Sequence, residues 1–134
     1  MSWQWISTEL ALAIHQRQLA EHGGLSGIRD KGLLDSALAR PQNLHAYGEN
    51  DSYVLVAAYA FEIARNHPFN DGKKRTAYVV SRLFLKLHGY EMPGTPENRV
   101  RLFEQLAAGN ITELEPEDWY LTSFPHRSVG TRHI

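Results

Sequence analysis

The chain has 134 residues, with 14 basic and 15 acidic side chains, a formal charge of −1, 43% apolar types and no cysteine. The length suits one domain of roughly 100–200 residues, large enough to bury roughly two thirds of its unfolded surface without disulfide staples. Without cysteine there is no disulfide framework, no Cys-ligated metal centre and no Cys nucleophile, and the near-neutral charge argues against a wholesale electrostatic binder of nucleic acid or membrane.

No apolar run approaches the ~18 residues of a spanning helix. The start, Met-Ser-Trp-Gln-Trp-Ile, lacks the basic and apolar regions of a signal peptide, so a soluble cytoplasmic domain is expected.

In chain order the pattern is helical. Ser7 or Thr8 caps a first helix over about Thr8–Glu21, with Glu9 in its first turn and Gly23-Gly24 as its stop. A short second helix fits Asp30–Ala39: Asp30 is a good N-cap, Leu34, Ala37 and Leu38 share a face, and Pro41 is expected to end it. Residues 40–52 read as a loop with a short extended flap. In Tyr53–Arg65, Val54, Ala57, Ala58 and Phe61 recur at helical spacing, and Val80, Leu83, Phe84 and Leu87 do the same in Gly72–His88. Both segments are apolar on more than one face, which predicts central helices. Thr95 and Pro96 start a helix over about Pro96–Ala108, and a last short helix is expected near Pro116. Residues 1–124 form the expected domain and 125–134 a loose polar tail. β-branched alternation is nowhere sustained. The expected fold is all-α, a single-domain bundle of about six helices.

The two central helices are joined by His67-Pro68-Phe69-Asn70-Asp71-Gly72-Lys73-Lys74-Arg75. A connection needs a turn and a cap; it does not need a histidine, a carboxylate and three successive cations. A helix begins at Gly72, so backbone N–H groups there lack intrahelical partners and suit an anion. Lys73, Lys74 and Arg75 fall in the first turn, where the helix dipole disfavours each cation by a few tenths to about 1 kcal/mol. Three such placements in succession point to a bound anion, phosphate above all, with Arg75 able to contact it bidentately. Asp71 is a hard oxygen ligand suited to Mg²⁺ bridging phosphates. His67 titrates near neutral pH and can take a proton from an attacking hydroxyl. Base, metal ligand and anion cradle together describe phosphoryl or nucleotidyl transfer.

Two other motifs fail. Gly72-Lys73 is not a Walker A loop, because His67 stands where its first glycine would be and Lys74 replaces the Ser/Thr. The seven histidines show no HExxH and no i, i+4 pair, which disfavours a histidine zinc site.

The same nine residues resemble the Fic signature, H-x-F-x-[DE]-[GA]-N-[GK]-R. More narrowly, the chain resembles the Doc (death-on-curing) toxins of bacterial toxin–antitoxin pairs. The likeness extends to Gly27–Pro41 and to Ala57–Asn66, and covers about residues 7–110. It implies that His67 is the general base, that Asp71 binds Mg²⁺, and that Gly72, Lys73, Lys74 and Arg75 hold the phosphates of ATP. Adenylylating members usually carry glycine where Lys74 stands. Doc-like members carry lysine, and are thought to transfer the γ-phosphate to a threonine of elongation factor Tu, which arrests translation. The second arginine of longer Fic signatures is Tyr78 here, again Doc-like. The resemblance therefore implies a protein kinase, with a Fic-type adenylyltransferase as the alternative.

One position departs from the pattern: Lys73 stands where the family has asparagine. That leaves open retained activity with altered nucleotide placement, a changed choice of nucleotide, or an impaired enzyme that still binds anions. No segment fits the self-inhibitory pattern [ST]-x-x-x-E-[GN]; Glu49-Asn50 comes nearest, with His45 at the Ser/Thr place. Inhibition is thus expected in trans, from an antitoxin whose disordered tail folds on binding. The protein target is expected near the 40–52 loop.

Elsewhere, Asp30 and Arg29 read as a helix cap and a surface pair, and His15 as structural, although it matches a recurrent family histidine. Trp3, Trp5 and Trp119 read as terminal packing. The formal charge of −1 averages a basic stretch, 65–82 at +4, and an acidic one, 113–118 at −4.

Overall fold

A computed structural model describes residues 2–24, 30–65 and 72–110. Five helices account for most of them: α1 (Thr8–His22), α2 (Lys31–Ala46), α3 (Ser52–Arg65), α4 (Lys73–Leu87) and α5 (Pro96–Ala108). There is no strand among the described residues. The all-α expectation holds, with five helices in place of about six. The helix expected near Pro116 lies outside the described residues, as do the end of the expected domain and the polar tail.

The capping chemistry explains the boundaries. Ser7 Oγ accepts from the Leu10 amide at 3.1 Å, Asp30 Oδ1 from Leu33 at 3.1 Å and Thr95 Oγ1 from Asn98 at 3.1 Å. Each satisfies a first-turn donor that the helix itself cannot. Gly23 and Gly109, at φ +80° and +83°, stop α1 and α5.

The hydrophobic centre is α3. Nine of its 14 residues are buried, and it packs against α2, α4 and α5, while α1 lies against α4 and α2. A helix enclosed on so many sides must be apolar nearly all round, in keeping with the helical spacing of Val54, Ala57, Ala58 and Phe61.

Two expectations about residues 39–52 are corrected. Helix α2 does not end before Pro41 but continues to Ala46, with Pro41 buried inside it. The missing amide and the ring clash cost about 3 kcal/mol in a helix interior. Against that, Leu34, Ala37, Leu38 and Pro41 form one buried stripe, and Leu44 packs on the core one turn later. Burying a leucine is worth about 1.5–3 kcal/mol, so the stripe carries the helix past the proline. Arg40 on α2 also meets Glu62 on α3 at 3.1 Å. Consequently there is no extended flap. Residues 47–51 form a tight turn, held by the Glu49 amide donating to Leu44 O and by His45 Nδ1, 3.0 Å from Glu49 O. Tyr47 stands at its edge, 93% exposed.

The segment before α1 is strapped to the bundle. Trp3 and Trp5 stack on Phe84 of α4, with ring centroids 5.7 and 5.9 Å away. The Gln4 amide donates to His88 Nε2 at 2.8 Å, and the Ile6 amide to the buried Tyr59 hydroxyl at 3.0 Å. Trp3 and Trp5 therefore pack as expected; Trp119 lies outside the described residues. Among the described residues no helix is long and apolar enough to cross a membrane.

Candidate active site

The start of α4 gathers a left-handed glycine and three cations in one turn. Its N-cap is Gly72, in the left-handed region at φ +76°, and no side chain caps the helix there. The Gly72 carbonyl takes the Thr76 amide at 2.9 Å. The amides of the first turn have no partner within the helix ladder. Lys73, Lys74 and Arg75 occupy that turn, as the sequence placed them, with Lys74 and Arg75 exposed and Lys73 half-buried. A hollow of about 250 Å³ is lined by Gly72, Lys73, Lys74 and Arg75. Four of the expected site residues are thus brought together. The other two, His67 and Asp71, lie outside the described residues, as does Phe69.

Gly72 is buried, and two residues of α1 form the floor beneath it. A Cβ on Gly72 would lie 3.4 Å from Leu19 Cδ2 and 3.5 Å from the imidazole of His15. His15 is itself 2% exposed. Its part in the fold is to support the turn that presents the cations, which fits its expected structural role. The α1 pair at i, i+4 is visible in the sequence, but nothing there assigns it to this turn. Arg29 lies outside the described residues, and Asp30 serves as the cap of α2.

A second cleft, of about 520 Å³, opens beside the first between α1, α4 and α5. Tyr78, Val79, Val100 and Phe103 give it an apolar wall, and Lys74, Arg75 and Glu104 a charged one. Tyr78, at the place of the family's second arginine, meets the Phe103 ring edge-on at 5.4 Å. Lys74 Nζ lies 3.8 Å from Glu104 Oε2. Sequence reading had not singled out Glu104. It belongs to this site only because α5 folds back along α4, and no local pattern announces that register.

Among the described residues no three His, Asp or Glu side chains cluster as a metal cage. Mg²⁺ does not need one: it is commonly held by one or two carboxylates plus substrate phosphates. Asp71, the carboxylate expected to hold it, directly precedes Gly72 in the sequence.

Helical bundle, glycine-capped cationic turn and signature agree, and the chain belongs to the Fic/DOC family, whose model matches residues 5–85. The chain is 38% identical over 93 residues to the protein kinase Doc of Escherichia phage P1, which covers 69% of this chain and 74% of that protein. It is 43% identical over 74 residues to the toxin Doc of Mycolicibacterium smegmatis, covering 52% of this chain and 55% of that protein.

Proposed function

We propose that the chain is a Doc-like toxin acting as a protein kinase, which transfers the γ-phosphate of ATP to a Ser/Thr hydroxyl of a translation factor such as elongation factor Tu. The observation that carries this is the start of α4: a buried glycine turn, left-handed at its N-cap, followed by three cations that fold stability alone would not place there. The name of the phage relative supports kinase chemistry, and that of the mycobacterial relative supports a toxin.

The division of labour follows from the residue types. The α4 turn and Arg75 hold the phosphates, and Lys73 and Lys74 add the charge that phosphoryl transfer requires. His67 takes the proton of the acceptor hydroxyl as its oxygen attacks the γ-phosphorus. The bond from that phosphorus to the bridging oxygen breaks, and ADP leaves. Mg²⁺, held by Asp71, would supply further neutralisation of phosphate charge. Lys74 fills space that a glycine would leave open for the α-phosphate, which favours γ-transfer over AMP transfer.

Such a toxin works in the cytoplasm and is held in check by an antitoxin in trans, a reading supported by the toxin name of the mycobacterial relative. The antitoxin's disordered tail would order on binding, which makes the inhibition reversible. The deciding experiment is incubation with elongation factor Tu and ATP labelled at either the α or the γ position. Label arriving from γ alone is expected; label arriving from α would replace the kinase with an adenylyltransferase. Transfer from neither, with His67→Ala still toxic to cells, would leave a binding module.

A further inference from the structure

Lys74 and Arg75 each line two hollows, the one at the start of α4 and the cleft against α5. The Lys74 ammonium lies on the α5 side, 3.8 Å from the Glu104 carboxylate. The pair is about half exposed on both sides, with side-chain exposures of 50% and 53%. Lysine is a compact charge on a flexible four-carbon stem, so it can exchange one anionic partner for another. Glu104 stands in the cleft, and the small hollow is lined by Gly72, Lys73, Lys74 and Arg75 alone among the described residues.

We infer that Glu104 is a positioning residue for Lys74, competing with the phosphate groups of the ligand for its ammonium and so setting how strongly the α4 turn holds a polyphosphate. This rests on the phosphate-binding role given to that turn above. With Glu104 engaged, Lys74 is drawn toward α5. A polyphosphate entering the hollow takes the ammonium over, and Glu104 is released to solvent at little cost because the pair is exposed.

The test is titration of the full chain, and of its Glu104→Gln, Lys74→Gln and doubly substituted forms, with inorganic triphosphate and with ATP. Glu104→Gln is expected to bind triphosphate about two- to fivefold more tightly at low salt, the range of an exposed ion pair. That gain should fade at high salt, vanish in the Lys74→Gln background, and be absent from Glu104→Asp. In a transfer assay the KM for ATP should fall while kcat stays level. Unchanged affinity in Glu104→Gln, with the parent chain binding and Lys74→Gln weakened, overturns the inference and leaves the phosphate seat standing. A gain that persists without Lys74 overturns it too, because Glu104 would then act as bulk charge. A parent chain that binds no triphosphate, with Lys74→Gln no different, sinks the seat itself and this inference with it.

Discussion

The imidazole of His15 lies 3.5 Å from where a Cβ on Gly72 would stand. That spacing is ordinary van der Waals contact, so the space under the turn admits a methyl group and no more. The backbone is less forgiving. At φ +76° an L-residue strains against its own carbonyl at a cost of about 1–2 kcal/mol. Gly72→Ala is therefore expected to lower unfolding free energy by about that amount in urea titration, and to weaken triphosphate binding as the turn shifts. Full stability in this variant would mean that the turn relaxes to an ordinary helical N-cap.

The three cations should show fold and function pulling in opposite directions. Each sits at the positive end of the α4 dipole and opposes folding by a few tenths to about 1 kcal/mol. Lys73→Gln and Arg75→Gln are each expected to raise the melting temperature slightly while weakening binding of ATP and triphosphate. A loss of stability in either variant would show that the cation's contacts in the fold outweigh the dipole.

Tyr59 gives the fold an alkaline limit. Burial pushes its hydroxyl up to about 12, against a small opposing effect of the Ile6 amide it accepts from. The folded state thus holds this proton to higher pH than the unfolded chain, which releases it near the ordinary value of about 10. Between those values the unfolded state binds fewer protons, so stability is full below pH about 10 and falls as pH rises toward 12. Tyr59→Phe should remove this dependence. At neutral pH it should cost about 1–3 kcal/mol, because the buried Ile6 amide loses its acceptor. Unfolding titrations across pH 8–12 on both chains check the two parts separately.

Helix α2 shows where the sequence was legible and where it misled. Leu34, Ala37 and Leu38 marked its inner face, and the same period continues through Pro41 to Leu44. A local rule, that proline ends a helix, outweighed a non-local one, that a buried stripe is worth more than one lost hydrogen bond. By the local rule alone α2 stops seven residues early, before Arg40–Ala46, and a flap stands where the fold has none. The cationic turn was legible because its three charges contradict the helix they begin; a residue type out of place is a local signal. Glu104 and the floor made by His15 and Leu19 were not legible, because each depends on which helix faces which.

Lys73 is the position where chemistry and family pattern diverge, and Lys73→Asn separates tolerance from damage. In the proposed kinase the lysine contributes charge at the first position of α4, where an asparagine would offer an amide without charge. Replacement is then expected to weaken triphosphate binding severalfold and to leave γ-phosphate transfer within about tenfold of the parent rate, a difference of about 1.4 kcal/mol in barrier. Single-turnover transfer from γ-labelled ATP, alongside triphosphate titration, reads both quantities. A rise in transfer well beyond tenfold would identify Lys73 as the residue that holds the enzyme back. The parent chain would then act chiefly through the anion seat it retains, and toxicity in cells should survive His67→Ala.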